Sequence, residues 1–179
     1  STSGIGRGFA EGLASQGVNI MLNGFGDPEE IEEFRAGLSE YENVDVFYNR
    51  ADMTKPDEIR GLIEETAERF GKIDILINNA GIQKVAPIDE FPDDKWDAII
   101  AINLTSAFHT IKHTLPHMKK AGFGRIINLA SAHGLTASPF KSAYVAAKHG
   151  ILGLTKTVAL EVAEQNITCN AICPGYVLT

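Results

Sequence analysis

The sequence reads Ile73-Asp-Ile-Leu-Ile-Asn-Asn-Ala-Gly81 near its middle, an apolar run that ends in two asparagines and a glycine. Its first part, Ile73–Asn78, is short and apolar with little polar alternation, which is typical of a strand covered on both faces. Segments of the same character are Val18–Leu22, Val44–Asn49, Arg125–Ala130 and Ile167–Ile172. The predicted helices are Ile5–Gln16, Pro28–Glu40, Pro56–Phe70, Asp93–Lys120, which Pro116 should kink or break, and Ala143–Gln165. The alternation predicts an α/β fold, a doubly wound parallel sheet with helices on both faces.

Composition limits the class of protein. The 179 residues, 44% of them hydrophobic, suit one domain, 1–179, with an ordinary core. The net charge of −7 argues against nucleic acid or an anionic membrane as the main partner. No apolar run approaches the roughly 18 residues of a membrane span. Cys169 and Cys173 lie in one apolar segment, which favours buried thiols in a reduced cytoplasm over a disulfide or metal site.

Both ends of the sequence suggest a fragment. Ser1–Gly6 leads directly into a helix, whereas a glycine-rich phosphate turn normally follows a strand. Pro174–Thr179 looks like the exit of a strand cut short. We therefore expect the domain to be truncated at both ends, without its first strand and its C-terminal portion. Because that first strand would be central, we expect the isolated chain to be unstable and inactive.

Several residues near predicted strand and helix ends suit a nucleotide. Gly4 and Gly6 open a helix, where backbone N–H groups can hold phosphate. Asn78-Asn79-Ala80-Gly81 ends a strand at the edge where α/β sheets bind ligands, although an ordinary turn would read the same way. Asp52 could accept a hydrogen bond from an adenine amino group or cap the next helix.

The pair Tyr144 and Lys148 suggests acid–base chemistry. Four residues apart on a helix, the two side chains share one face, and a close ammonium favours the phenolate form of tyrosine. Alone, the pair would equally fit a half-buried tyrosine and a surface lysine. Ser131 ends a strand, so its hydroxyl and the phenol could converge on one carbonyl oxygen. Asn103 is a costly choice inside a helix and could hold a water or a backbone group near Lys148.

Together these residues resemble the short-chain dehydrogenase/reductase family, which has a Rossmann-type fold, in order and in spacing. The matching pieces are Gly4-Ile5-Gly6, Asp52, Asn78-Asn79-Ala80-Gly81, Asn103, Ser131, Tyr144-x-x-x-Lys148 and Pro174-Gly175-x-x-x-Thr179. The resemblance implies hydride transfer between a nicotinamide and an alcohol or ketone. Tyr144 would be the general acid/base, Lys148 would stabilise its phenolate and hold the ribose, and Ser131 would orient the substrate oxygen. Asn103 would place a relay water.

The resemblance also implies a cofactor site. Its expected residues are Ser3, Gly4, Ile5, Gly6, Asp52, Asn79, Ala80, Gly81, Tyr144, Lys148, Pro174, Gly175 and Thr179. A 2′-phosphate usually needs a nearby cation, and neither Ser3 nor Asn23–Gly26 supplies one. We therefore expect NAD rather than NADP.

Three donors around the catalytic hydroxyls suit a small carboxylate substrate: Gln83, His133 and Lys141. With Leu22–Gly26 and Ala130–Leu135, they resemble soluble bacterial D-3-hydroxybutyrate dehydrogenases of this family. That implies oxidation of (R)-3-hydroxybutyrate to acetoacetate, as in ketone-body metabolism, with Gln83, Ser131, His133, Lys141 and Tyr144 binding the substrate. A 3-oxoacyl-thioester reductase, a sugar dehydrogenase and a non-catalytic binding protein remain alternatives. Family members are commonly tetramers, so we expect a homotetramer.

Three histidines form a stripe on the fourth predicted helix, a pattern that resembles a metal site. His109, His113 and His117 recur at four-residue spacing, but no carboxylate or cysteine completes a ligand set. A helical surface or a subunit interface explains the stripe better, so we expect no metal.

Overall fold

The computed structural model describes residues 2–178. Within them the chain forms two compact units. The first contains the residues up to Asp52 together with Val177 and Leu178, and the second is Met53–Tyr176.

The first unit is a parallel strand pair with two helices. Its elements are α1 (Gly4–Ala14), β1 (Ile20–Asn23), α2 (Pro28–Leu38) and β2 (Val46–Asn49). Ile20 of β1 lies opposite Val46 of β2. Asp27 caps α2, its carboxylate accepting from the N–H groups of Glu29 and Glu30. Leu22 is fully buried in a core that both helices share with the strands.

The second unit contains a three-stranded parallel sheet in the order β3-β4-β5. Its elements are α3 (Pro56–Phe70), β3 (Ile75–Asn78), α4 (Asp93–Ile100), α5 (Ser106–Ala121), β4 (Gly124–Leu129), α6 (Ser142–Glu161) and β5 (Ile167–Ile172). Asn78 of β3 pairs with Asn128 of β4. Apolar side chains of α3, α5 and α6 pack with those of β4 and β5 in one core. Parallel pairing throughout agrees with the predicted βαβ units.

The fourth predicted helix, Asp93–Lys120, needs correction. The structure divides it at a π-helical turn, Ala101–Thr105, between α4 and α5. Pro116 does not break the helix and lies inside α5. Proline removes one helical hydrogen bond, here to the carbonyl of Lys112, and both residues are exposed, so water can serve that carbonyl.

Other boundaries differ by a few residues. The last predicted helix ends at Glu161 rather than Gln165, because the chain turns through Asn166, whose φ is 54°, before β5. Ile167–Ile172 and Pro56–Phe70 have the predicted limits. Among residues 2–178, no helix combines the length and apolarity needed to cross a bilayer.

Candidate active site

The connection from β4 to α6 carries the predicted catalytic hydroxyls. Ser131 is 8% exposed and caps the short 3-10 turn Ala132–Gly134, its Oγ accepting from the His133 N–H at 3.1 Å. Because α6 begins at Ser142, Tyr144 lies in its first turn. The rings of His133 and Tyr144 meet edge to face with centroids 6.4 Å apart. The structure thus brings the serine loop to the phenol, as the sequence predicts.

Gly134 fixes how closely that loop approaches α6. A Cβ at this position would lie 2.6 Å from the carbonyl oxygen of Lys148 and 3.1 Å from its carbonyl carbon. No side chain fits there without moving backbone. The glycine therefore holds the loop directly against the helix that carries Tyr144 and Lys148.

Lys148 is buried, with 4% of its surface exposed. Its Nζ donates to the carbonyl of Leu129 at the end of β4 and lies 5.6 Å from the centroid of the Tyr144 ring. Burial lowers the pKa of this ammonium from 10.5 to about 8, against a smaller opposing effect of Cys173. The alternative of a surface lysine is therefore wrong, and the cation lies beside the phenol.

Asn103 holds a backbone group. Its Oδ1 accepts from the Ile82 N–H and its Nδ2 donates to the Ile82 carbonyl, both at 2.9 Å. The π-helical turn presents this side chain, which is 3% exposed. A Cβ on Gly81 would lie 3.8 Å from both amide atoms of Asn103 and from Nζ of Lys148. Asn103, Gly81 and Lys148 therefore meet at the exit of β3.

The other two predicted substrate residues lie on neighbouring loops. Gln83 is exposed on the loop after β3, and Lys141 is half-buried just before α6. The Ala86 N–H donates to the Phe140 carbonyl at 2.9 Å and joins these two loops. Phe140 has a left-handed backbone with φ of 65°, which is costly for an aromatic residue. Nδ1 of His133 is buried and has no hydrogen-bond partner within the described part of the chain.

The predicted cofactor residues of the first unit form the start of α1 and the region after β2. Ser3 is the N-cap of α1 without a side-chain cap bond, and Gly4 has a left-handed φ of 52°. The first helical N–H groups of Gly4, Ile5 and Gly6 suit an anion, because a helix leaves them without intrahelical partners. Asp52 is half-buried in the loop after β2.

The remaining cofactor residues follow the strands of the second unit. Asn79 is half-buried, whereas Ala80 and Gly81 are exposed. The Pro174 carbonyl accepts from the Ala132 N–H at 2.8 Å, which brings the exit of β5 to the serine loop. Gly175 is exposed beyond it, and Thr179 lies outside the described residues.

Comparisons with known proteins agree with this arrangement. The family model described as short chain dehydrogenase matches residues 1–179. The chain belongs to the short-chain dehydrogenase family. It is 62% identical to D-beta-hydroxybutyrate dehydrogenase of Rhizobium meliloti (strain 1021), covering 100% of this chain and 69% of that protein. The D-beta-hydroxybutyrate dehydrogenase of Cupriavidus necator is 58% identical over the same shares, 100% and 69%.

A solved structure confirms the Rossmann-type fold of this short-chain dehydrogenase. NAD+-bound xylitol dehydrogenase superposes with a TM-score of 0.88 at 35% identity, covering 97% of this chain and 67% of that one. The family and the fold class predicted from the sequence are both confirmed.

Three contributors to this short-chain dehydrogenase site were not found from the sequence: the Leu129 carbonyl, the Ile82 backbone and Gly134. The first two act through main-chain atoms, so their side chains give no signal. Gly134 does give a signal in the sequence, because a glycine between a strand and a helix can mark a close approach of two backbone segments.

Proposed function

We propose that the protein is an NAD-dependent 3-hydroxybutyrate dehydrogenase that oxidises (R)-3-hydroxybutyrate to acetoacetate. The observation that carries the proposal is that the Tyr144 ring lies 5.6 Å from a buried Lys148 ammonium and 6.4 Å from the His133 ring. The pair supplies acid–base chemistry, and the imidazole adds a donor for a carboxylate. The names of the two hydroxybutyrate dehydrogenase relatives support the same substrate.

Each catalytic side chain has one task in this proposal. The Tyr144 phenolate takes the proton of the substrate hydroxyl, and Ser131 donates a hydrogen bond that orients the substrate oxygen. The Lys148 ammonium lies 5.6 Å from the centroid of the Tyr144 ring and would stabilise negative charge that develops during proton transfer. Asn103 keeps the loop after β3 in place through Ile82. The relay water of the family resemblance remains a prediction.

The described residues fit NAD. An ammonium has three N–H donors, and the Leu129 carbonyl takes one of those of Lys148, which leaves donors for ribose hydroxyls. The exposed Gly81 lets a ligand approach the atoms of Asn103 and Lys148 behind it. The family resemblance assigns further cofactor contacts to the start of α1 and Asp52 in the first unit. In the second unit it assigns them to Asn79, Ala80, Pro174 and Gly175. When bound, NAD accepts the hydride from the carbinol carbon.

The substrate is tested by removing its proposed carboxylate partners. We expect Lys141→Ala and His133→Ala in the full-length protein to raise KM for (R)-3-hydroxybutyrate by about 10- to 100-fold, because each removes a hydrogen bond to a charged group. Lys156→Ala, at an exposed position of α6, is the matched control and should leave KM unchanged.

The alternatives give other results. A 3-oxoacyl-thioester reductase or a sugar dehydrogenase would tolerate both substitutions with little change in KM. Wild-type protein that oxidises another alcohol but not (R)-3-hydroxybutyrate would refute the substrate. Unchanged activity in Tyr144→Phe would refute the mechanism, and a protein without turnover on any alcohol would favour the binding-protein alternative.

We further propose one dinucleotide-binding domain, working in the cytoplasm as a homotetramer in ketone-body metabolism. The family model spans both compact units, which supports one domain. Phe108 on α5 is 47% exposed and Leu160 on α6 is 80% exposed, so both helices offer apolar surface to a second copy. Light scattering on the purified protein gives the oligomer mass, and a monomer would contradict the proposal.

A further inference from the structure

The buried side-chain amide of Asn128 connects β3, β4 and α6, the helix that carries Tyr144 and Lys148. Asn128 of β4 is 0% exposed. Its Oδ1 accepts from Nδ2 of Asn78 at 2.8 Å, and its own Nδ2 donates to Oγ1 of Thr155 at 2.9 Å. The same Nδ2 lies 3.6 Å from Sγ of Cys169 on β5. A buried amide with this many partners fixes the positions of all of them.

Thr155 lies on the face of α6 that carries Lys148. Seven residues separate them, which is two helical turns, so both side chains point toward β4. Thr155 Oγ1 accepts from Asn128 and donates to the Ile151 carbonyl at 2.7 Å. One residue after Asn128, the Leu129 carbonyl accepts from Lys148. Adjacent residues of β4 thus hold α6 at two points two turns apart.

The connection continues toward the cofactor edge. Thr110 of α5 is 5% exposed, and its Oγ1 donates to Oδ1 of Asn78 at 2.7 Å. Asn78 directly precedes Asn79, where the chain leaves β3. The polar ladder formed by Thr110, Asn78, Asn128 and Thr155 therefore spans α5, β3, β4 and α6.

Directional bonds are needed here because the surrounding contacts are apolar. Ile151 of α6 packs with Ala130 at the end of β4, and Val158 packs with Ile126 of β4. Apolar contacts of this kind do not by themselves define how far a helix slides along a strand. A hydrogen bond does define this position, because it requires a particular donor and acceptor at a fixed distance and angle. We propose that Thr155 and Asn128 are positioning residues, which set the axial register of α6 on β4 and so place the Lys148 ammonium for the cofactor and Tyr144.

This inference rests on the proposed hydride-transfer function, and its test separates the two. Thr155→Val keeps the side-chain shape but removes the hydroxyl, whereas Thr155→Ser keeps the hydroxyl. Thr114→Val is the matched control, because the Thr114 hydroxyl is equally buried on α5 and has no hydrogen-bond partner among residues 2–178. Steady-state kinetics and NADH binding, followed by fluorescence, are measured on full-length protein.

We expect Thr155→Val to lower kcat by about tenfold and to weaken NADH binding by about threefold, with KM for the alcohol unchanged. Thr155→Ser and Thr114→Val should stay within about twofold of wild type in both measurements. If Thr155→Val does not fold, Thr155→Ala provides the same comparison.

Two outcomes would overturn the positioning role. One is a Thr155→Val protein that loses thermal stability but keeps its kcat and NADH affinity. The other is a Thr155→Ser protein as impaired as the valine variant. NADH binding does not involve the alcohol. If only the hydroxybutyrate assignment fails, the NADH affinities of the variants and of wild type can therefore still be compared. A wild-type protein that binds no NADH would overturn both proposals.

Discussion

Replacing Lys148 with methionine removes a charge that is 4% exposed and keeps most of the side-chain volume. Burial lowers the pKa of this ammonium from 10.5 to about 8, so the folded protein releases its proton before the unfolded chain does. Below pH 8 both states are charged and the folded state carries the full cost. Between about 8 and 10.5 the unfolded chain binds more protons, so the free energy of unfolding of wild type rises with pH.

The difference between 10.5 and about 8 corresponds to about 3 kcal/mol. Lys148→Met lacks this contribution at every pH. We therefore expect the stability of the variant relative to wild type to fall by about 2 kcal/mol between pH 7 and pH 9.5, because that interval covers most of the titration. An effect that is the same at every pH, such as the unpaired Leu129 carbonyl of the variant, changes the stability difference between variant and wild type but not its dependence on pH.

Urea unfolding of the full-length protein at several pH values measures this difference. NAD is left out, because a ligand that binds only the folded state adds a pH dependence of its own. Lys156→Met, at an exposed site on the same helix, should differ from wild type by the same amount at every pH. A Lys148→Met difference that is constant or that increases with pH would refute the burial argument.

Three further substitutions, one of them with a matched control, test the site. Gly134→Ala should lower the free energy of unfolding by about 1–3 kcal/mol and lower kcat, because its Cβ would lie 2.6 Å from the Lys148 carbonyl oxygen. Gly153→Ala is the control, because a Cβ there would have no neighbour within 4 Å. It should raise the free energy of unfolding by up to about 1 kcal/mol in the same urea titration. Asn103→Leu removes both hydrogen bonds to the Ile82 backbone, each of which contributes about 0.5–1.5 kcal/mol. We therefore expect lower stability and kcat, and wild-type kinetics would contradict this. Phe140→Gly should raise stability by about 1 kcal/mol by relieving a φ of 65°, and a lower melting temperature would show that the ring contributes more than the strain costs.

The strands and most helices could be predicted because their signals are local. Short Ile- and Val-rich runs separated by amphipathic segments define βαβ units whatever the rest of the chain does. The error at Asp93–Lys120 has a non-local cause. Asn103 takes its place because its amide pairs with Ile82, twenty-one residues earlier, and the π-helical turn presents that amide. The propensity of each residue alone could not reveal such a contact.

Pro116 shows the opposite error, a local rule applied too strongly. A proline disrupts a helix when the carbonyl it leaves unpaired is buried or when its ring meets packed neighbours. Here Pro116 lies on the exposed side of α5, while Thr114 and Met118 on either side of it are fully buried. The apolar packing of the helix maintains it through the proline, and only the tertiary structure shows which side faces water.

The burial of Lys148 is what decides between the two meanings of the Tyr144–Lys148 spacing. A helix with a half-buried tyrosine and a surface lysine would have the same sequence pattern, and Tyr144 is indeed half-buried. The lysine is not at the surface, and among the described residues its hydrogen-bond acceptor is a backbone carbonyl rather than a carboxylate. Burying the charge of such an ammonium costs the fold about 3 kcal/mol, a cost that leucine or methionine at this position would not carry. The proposed function accounts for this cost, because it gives the ammonium a task that leucine or methionine could not perform: it would donate hydrogen bonds to the ribose hydroxyls of NAD beside Tyr144.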